Sequence, residues 1–116
     1  MSVYKIFHNP RCSKSRQTLQ LLKDNNCKIE IINYLEIDLE VSLIKDILKK
    51  LAFKPRDILR KGEQEYKDNK LKKDNLSEED LINYMIKCPK LIERPIVVKG
   101  DKAVIGRPPE NVLELI

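Results

Sequence analysis

Hydrophobic period changes twice within the first 34 residues, and this constrains the fold more than any other feature. Val3-Tyr4-Lys5-Ile6-Phe7 is a short β-branched and aromatic run, which predicts a buried strand. Asn9-Pro10 ends it, because a residue before proline is pushed away from helix and the proline fixes a turn. Leu19 and Leu22 then follow helical spacing and predict a helix over 13–24, stopping at Asn25-Asn26. Residues 28–34 alternate well enough to predict a second strand. Strand, helix and strand in such a short span make one βαβ unit, whose crossover is right-handed by rule.

The middle of the chain reads as helical. Val41, Leu43, Ile44, Ile47, Leu48 and Leu51 form an apolar stripe that Pro55 terminates. Residues 67–75 are polar and lysine-rich with Leu71 as their one apolar side chain, which predicts a surface loop or a weak helix. Ser77 is placed to cap a helix whose first turn holds Glu78, Glu79 and Asp80, and Pro89 closes that helix. The period then changes again. Pro95-Ile96-Val97-Val98-Lys99, Gly100-Asp101 and Lys102-Ala103-Val104-Ile105 describe a tight β-hairpin, and 111–116 a last short helix. The order βαβ, helices, ββα suits an α/β, thioredoxin-like (glutaredoxin-like) mixed sheet with a helical insertion. At 116 residues the chain is expected to form a single domain, 1–116, with a core of Ile, Leu and Val because it has no tryptophan.

Several function classes drop out on composition. No apolar run approaches the length of a membrane span, and the N-terminal residues lack the apolar stretch of a signal peptide. One histidine and three scattered cysteines do not make a structural zinc site, so no metal is expected. The net charge of +5 comes from basic residues interleaved with acidic ones, a solvated surface rather than a nucleic-acid stripe. Three cysteines match no disulfide framework, which points to a reducing, cytoplasmic setting.

One cysteine stands apart. Cys12 falls at the start of the first helix, where unpaired backbone N–H groups and the positive end of the dipole favour a thiolate. Arg11, Lys14 and Arg16 add positive charge around it, and His8 lies just upstream. A dithiol C-x-x-C motif would need a second cysteine where Ser15 stands. A phosphatase-type loop would need arginine where Thr18 stands. That leaves a single nucleophilic thiol, regenerated by an external one.

His8-Asn9-Pro10-Arg11-Cys12-Ser13-Lys14-Ser15-Arg16 resembles the active-site segment of the glutaredoxin-coupled arsenate reductase (ArsC) family, in its short form. Glu93-Arg94-Pro95-Ile96-Val97 and Ile105-Gly106-Arg107-Pro108-Pro109-Glu110 are similar to that family's two other landmarks, in the same order. Longer members carry Gly-Thr at Ser13-Lys14. The resemblance implies that Cys12 attacks arsenate, that His8 and Ser15 support its thiolate, and that Arg60, Arg94 and Arg107 gather around the oxyanion. It further implies a cis-proline at Pro95, no bound cofactor, glutathione as co-substrate and glutaredoxin as partner. Two other readings remain open at this point: a monothiol reductase of another oxidised substrate, and an Spx-type regulator binding RNA polymerase. Ser15 and Arg107 speak against the second. Cys27 reads as structural and Cys88 as a bystander, although Cys88 could in principle resolve an oxidised Cys12.

Overall fold

A computed structural model describes residues 3–73 and 75–116. The chain divides into two units, one running to Ile37 and resuming over Arg94–Ile116, the other Asp38–Glu93.

The first unit is built on β1 (Val3–Phe7), α1 (Ser13–Asp24), β2 (Lys28–Ile32), β3 (Ile96–Lys99) and β4 (Lys102–Ile105). They form one mixed sheet in the order β2-β1-β3-β4. β1 runs parallel to β2 and antiparallel to β3, which pairs antiparallel with β4. The register sets Tyr4 beside Ile29, Ile6 beside Val97 and Val97 beside Val104. Because side chains alternate along a strand, all of these fall on one face. Leu22 of α1 and Val112 and Leu115 of a terminal 3-10 helix, Pro109–Leu115, complete the core there. Burying each such aliphatic side chain contributes about 1.5–3 kcal/mol. The hairpin turn places Gly100 at φ +60, the first central position of a type II′ turn, which favours glycine. The C-terminus is pinned where Tyr4 Oη and Lys99 Nζ both donate to the Leu115 carbonyl, at 3.1 and 2.8 Å.

The second unit holds α2 (Val41–Leu51), α3 (Gln64–Asp68) and α4 (Glu78–Lys87), with 3-10 turns at Pro55–Ile58 and Pro89–Leu91. Ile44, Ile47, Leu48 and Leu51 are the buried face of α2, and Leu81, Ile82 and Met85 that of α4. Ser77 caps α4 as its sequence suggests: its Oγ accepts from Asp80 N–H while Asp80 Oδ2 accepts from Ser77 N–H, both at 3.0 Å. Leu59 and Ile92 form a single antiparallel bridge that brings the two 3-10 turns together.

Three expectations need correction. The second strand stops at Ile32 rather than Tyr34, because the Asn33 side chain accepts Leu35 N–H at 3.2 Å and turns the chain. The last helix is a 3-10 segment begun at Pro109, not a helix over 111–116. Residues 67–75 are not merely surface, since Leu71 is fully buried and α3 extends into the segment; Asp74 lies outside the described residues.

α2 ends without glycine. Ala52 sits at φ +60, with its N–H on Lys49 O and the Phe53 N–H on Leu48 O, the two bonds of a Schellman motif. A side chain with Cβ is disfavoured in this conformation, and Ala52 is exposed, so no packing is lost without it. Ala52→Gly is therefore expected to raise unfolding stability by about 0.5–1 kcal/mol, read as a higher urea midpoint at unchanged slope.

Candidate active site

Cys12 occupies the N-cap of α1 with extended backbone, φ −91 and ψ 122. The loop before it is tightly tied. Asn9 is buried, its Oδ1 accepts Arg11 N–H at 3.0 Å, and its carbonyl accepts Cys12 N–H at 3.0 Å. Arg16 donates back to the Pro10 carbonyl at 2.8 Å, so one of the flanking cations is spent on holding the loop. These bonds fix where the helix starts and hence where the sulfur points.

Ser15 is fully buried one turn on. Its Oγ lies 2.6 Å from His8 Nδ1 and accepts Asn9 N–H at 3.1 Å. His8 thus meets Ser15, not the sulfur. Burial, then the charges of Arg16 and Lys23, hold the imidazole below its ordinary pKa. A ring kept neutral at physiological pH supplies no cation to a thiolate. Its contact with Ser15 Oγ ties the end of β1 to the first turn of α1.

The cations come from the far end of the chain. Arg107 Nη2 lies 3.3 Å from Cys12 Sγ, and Arg107 Nε donates to the Arg94 carbonyl at 2.8 Å. Arg94 and Arg107 each precede a cis proline, Pro95 and Pro108. Burial by itself pushes the Cys12 thiol up. The Ser15 N–H, the Arg94 side chain, the Lys14 N–H and the charge of Arg107 outweigh it, and the net pKa falls below the usual thiol value. The Cys12 sulfur thus sits at the N-terminal end of α1 among groups that favour its charged form.

The structure brings His8, Cys12, Ser15, Arg94 and Arg107 together in one unit. Arg60 belongs to the other unit, where its Nε is 3.2 Å from Glu63 Oε1 and its Nη1 3.7 Å from Glu93 Oε2. All three cysteines are free thiols. Cys27 packs against the core of the first unit, and Cys88 lies at the end of α4. Among the described residues no group of side chains could hold a metal ion, and no helix is long and apolar enough to cross a membrane.

The ArsC family model matches residues 7–115. The chain belongs to the ArsC family. Within it, the sequence is 51% identical over 113 residues to the uncharacterized protein YfgD of Escherichia coli K12, covering 97% of this chain and 95% of that one. It is 42% identical over 113 residues to an arsenate reductase of Neisseria meningitidis serogroup A, covering 97% of each. The solved structure of an arsenate reductase from Vibrio cholerae superposes with a TM-score of 0.96 at 42% identity, covering 99% of this chain and 98% of that chain. The fold is accordingly the thioredoxin-like mixed sheet expected of ArsC-family proteins.

Contacts that the sequence does not reveal support this ArsC-family site. Thr18 Oγ1 approaches the Gly106 carbonyl at 3.4 Å, beside the segment that carries Arg107. Asn111 donates to the carbonyls of Ile105 and Arg107. Asn9-Pro10 had been legible as a strand stop, and the Asx turn of Asn9 was the missed signal. The Thr18 and Asn111 contacts have no local sequence mark.

The charge at Cys12 is directly testable. Removing a cation beside a thiolate disfavours the charged form, so Arg107→Ala should raise the Cys12 pKa. The pH profile of iodoacetamide alkylation at Cys12 is expected to move to higher pH, with a lower rate at neutral pH.

Proposed function

We propose that this protein reduces arsenate to arsenite, with Cys12 as nucleophile and glutathione and glutaredoxin as the source of electrons. The observation that carries the reading is the Arg107 guanidinium 3.3 Å from a Cys12 sulfur whose pKa is depressed, in a chain 42% identical to a protein named arsenate reductase. The thiolate attacks arsenic(V), forming an S–As bond as one oxygen leaves as water with the protons it takes up. Arg94 and Arg107 neutralise charge on the oxyanion, in the planar fork geometry that suits guanidinium. Glutathione displaces a second oxygen as water. A glutaredoxin thiolate then attacks the glutathione sulfur, and the As–S electron pair stays on arsenic, which becomes arsenic(III). Water releases arsenite and restores Cys12. Glutathione places this cycle in the cytoplasm.

The assignment of Arg60 to the oxyanion rests on family resemblance alone. Among the described residues no free thiol lies three positions from Cys12, which favours an external reductant over an internal dithiol.

The test is purified protein with arsenate, glutathione, glutaredoxin, glutathione reductase and NADPH. Arsenate-dependent NADPH consumption with arsenite as product is expected. No arsenate-dependent turnover would remove arsenate as substrate. Reduction of a glutathione mixed disulfide at a rate indifferent to Arg107→Ala would favour the monothiol reductase. Specific retention of the RNA polymerase α subunit would favour the regulator.

A further inference from the structure

Arg107 can serve Cys12 only if the backbone that carries it is held still, and that backbone leaves a strand through glycine. Gly106 N–H donates to Pro95 O and Arg107 N–H turns back to Ile105 O, both at 2.9 Å, so the chain makes a tight three-residue turn at Gly106. Neither bond restrains the Arg107 carbonyl. That carbonyl and the one before the glycine are captured by a single side chain. Asn111 Nδ2 donates to Ile105 O at 3.1 Å and to Arg107 O at 3.0 Å.

We propose that Asn111 is a positioning residue for the active site, fixing both ends of the Gly106 turn so that the Arg107 guanidinium stays against the Cys12 sulfur. The chemistry selects asparagine. One amide nitrogen carries two protons that diverge, matching two carbonyl oxygens two residues apart. Aspartate would set a carboxylate against those carbonyls, and alanine would leave both without the donor. Asn111 is itself anchored, since it lies in the Pro109–Leu115 segment whose Val112 and Leu115 are in the core. Its own N–H donates to Pro108 O at 3.0 Å, closing the first turn of that segment. Arg107 is thus held at its carbonyl by Asn111, at Nε by the Arg94 carbonyl and at Nη2 by sulfur. Loss of the first hold lets the backbone under Arg107 shift, and a shift there pulls the guanidinium against its contacts with the Arg94 carbonyl and the Cys12 sulfur.

The proposal rests on the reading of Cys12 as an Arg107-activated nucleophile, and its test needs no arsenate. Iodoacetamide alkylation of Cys12 is followed against pH in the native protein, Arg107→Ala, Asn111→Ala and the double variant. Losing hydrogen bonds of this kind should slow alkylation at neutral pH by about two- to tenfold. The profile should move to higher pH, in the direction of Arg107→Ala. In the Arg107→Ala background, Asn111→Ala should add nothing. Urea unfolding of each variant reports the structural share separately, and Asn111→Ser, which keeps one donor, stands in should the alanine variant not fold. A profile unmoved by Asn111→Ala or Asn111→Ser, whatever the loss of stability, would overturn the proposal. So would an equal shift in the Arg107→Ala background. A profile unmoved by Arg107→Ala itself would instead refute the activated-thiolate reading.

Discussion

Cys12→Ser protein should lose arsenate turnover by at least about 10³-fold while keeping its fold. The loss follows from chemistry, since a serine hydroxyl stays protonated where the thiol has been made acidic by the Ser15 and Lys14 amides and by Arg94 and Arg107. The retained fold follows from position. Cys12 is the N-cap of α1, and serine is among the strongly preferred residues there because its oxygen accepts the free amides of the first turn. The variant is expected to unfold at a urea midpoint equal to or above that of the native protein. Inactivity joined to undiminished stability identifies a chemical role. A variant with substantial turnover would remove Cys12 from the mechanism.

Gly106→Ala should be costly in a different way, by about 1–3 kcal/mol of stability together with most of the activity. A Cβ on Gly106 would meet Thr18 Cγ2 at 3.0 Å and Pro95 Cγ at 2.9 Å, and would press still closer on Thr18 Oγ1. Neither neighbour can retreat easily. Thr18 is fully buried and its Oγ1 donates to Lys14 O at 2.8 Å, while Pro95 is a rigid, fully buried ring. The turn that bears Arg107 would have to move instead. Because most of the clash is with one side chain, Thr18→Ala should rescue part of it. In a double-mutant cycle the pair should couple favourably by about 0.5–3 kcal/mol, measured by urea unfolding. Strict additivity would contradict the packing.

The local parts of this protein were legible because its punctuation is local. Asn9-Pro10 and Asn25-Asn26 bracket α1, Ser77 and Asp80 announce α4, and Gly100-Asp101 marks the hairpin turn. Errors arose where an ordinary residue took an unusual conformation. Nothing in the composition of Ala52 or Lys70 announces the left-handed backbone that ends α2 and α3. The apolar Ile32 did not reveal that the next side chain would break the strand. Cys12 and the two Arg-Pro pairs marked the site in sequence, because a cysteine at a strand-to-helix turn has a short signature. Gly106, Thr18 and Asn111 did not, because their importance lies in contacts made across the fold. His8 lies four residues before Cys12 in sequence, and the fold sets its ring against Ser15 Oγ, a contact the sequence does not mark.

The sheet order has a consequence for the order in which the protein is made. β3 pairs with β1, setting Phe7 beside Ile96, so the groups that tune Cys12 are synthesised well after the cysteine itself. A nascent chain emerging from the ribosome carries its cysteine early, with only the amides of its own helix to acidify it. The Arg94 and Arg107 charges arrive when the hairpin docks onto β1. The thiol is therefore less acidic in the nascent chain than in the finished fold, where Arg94 and Arg107 add to the amides of the helix.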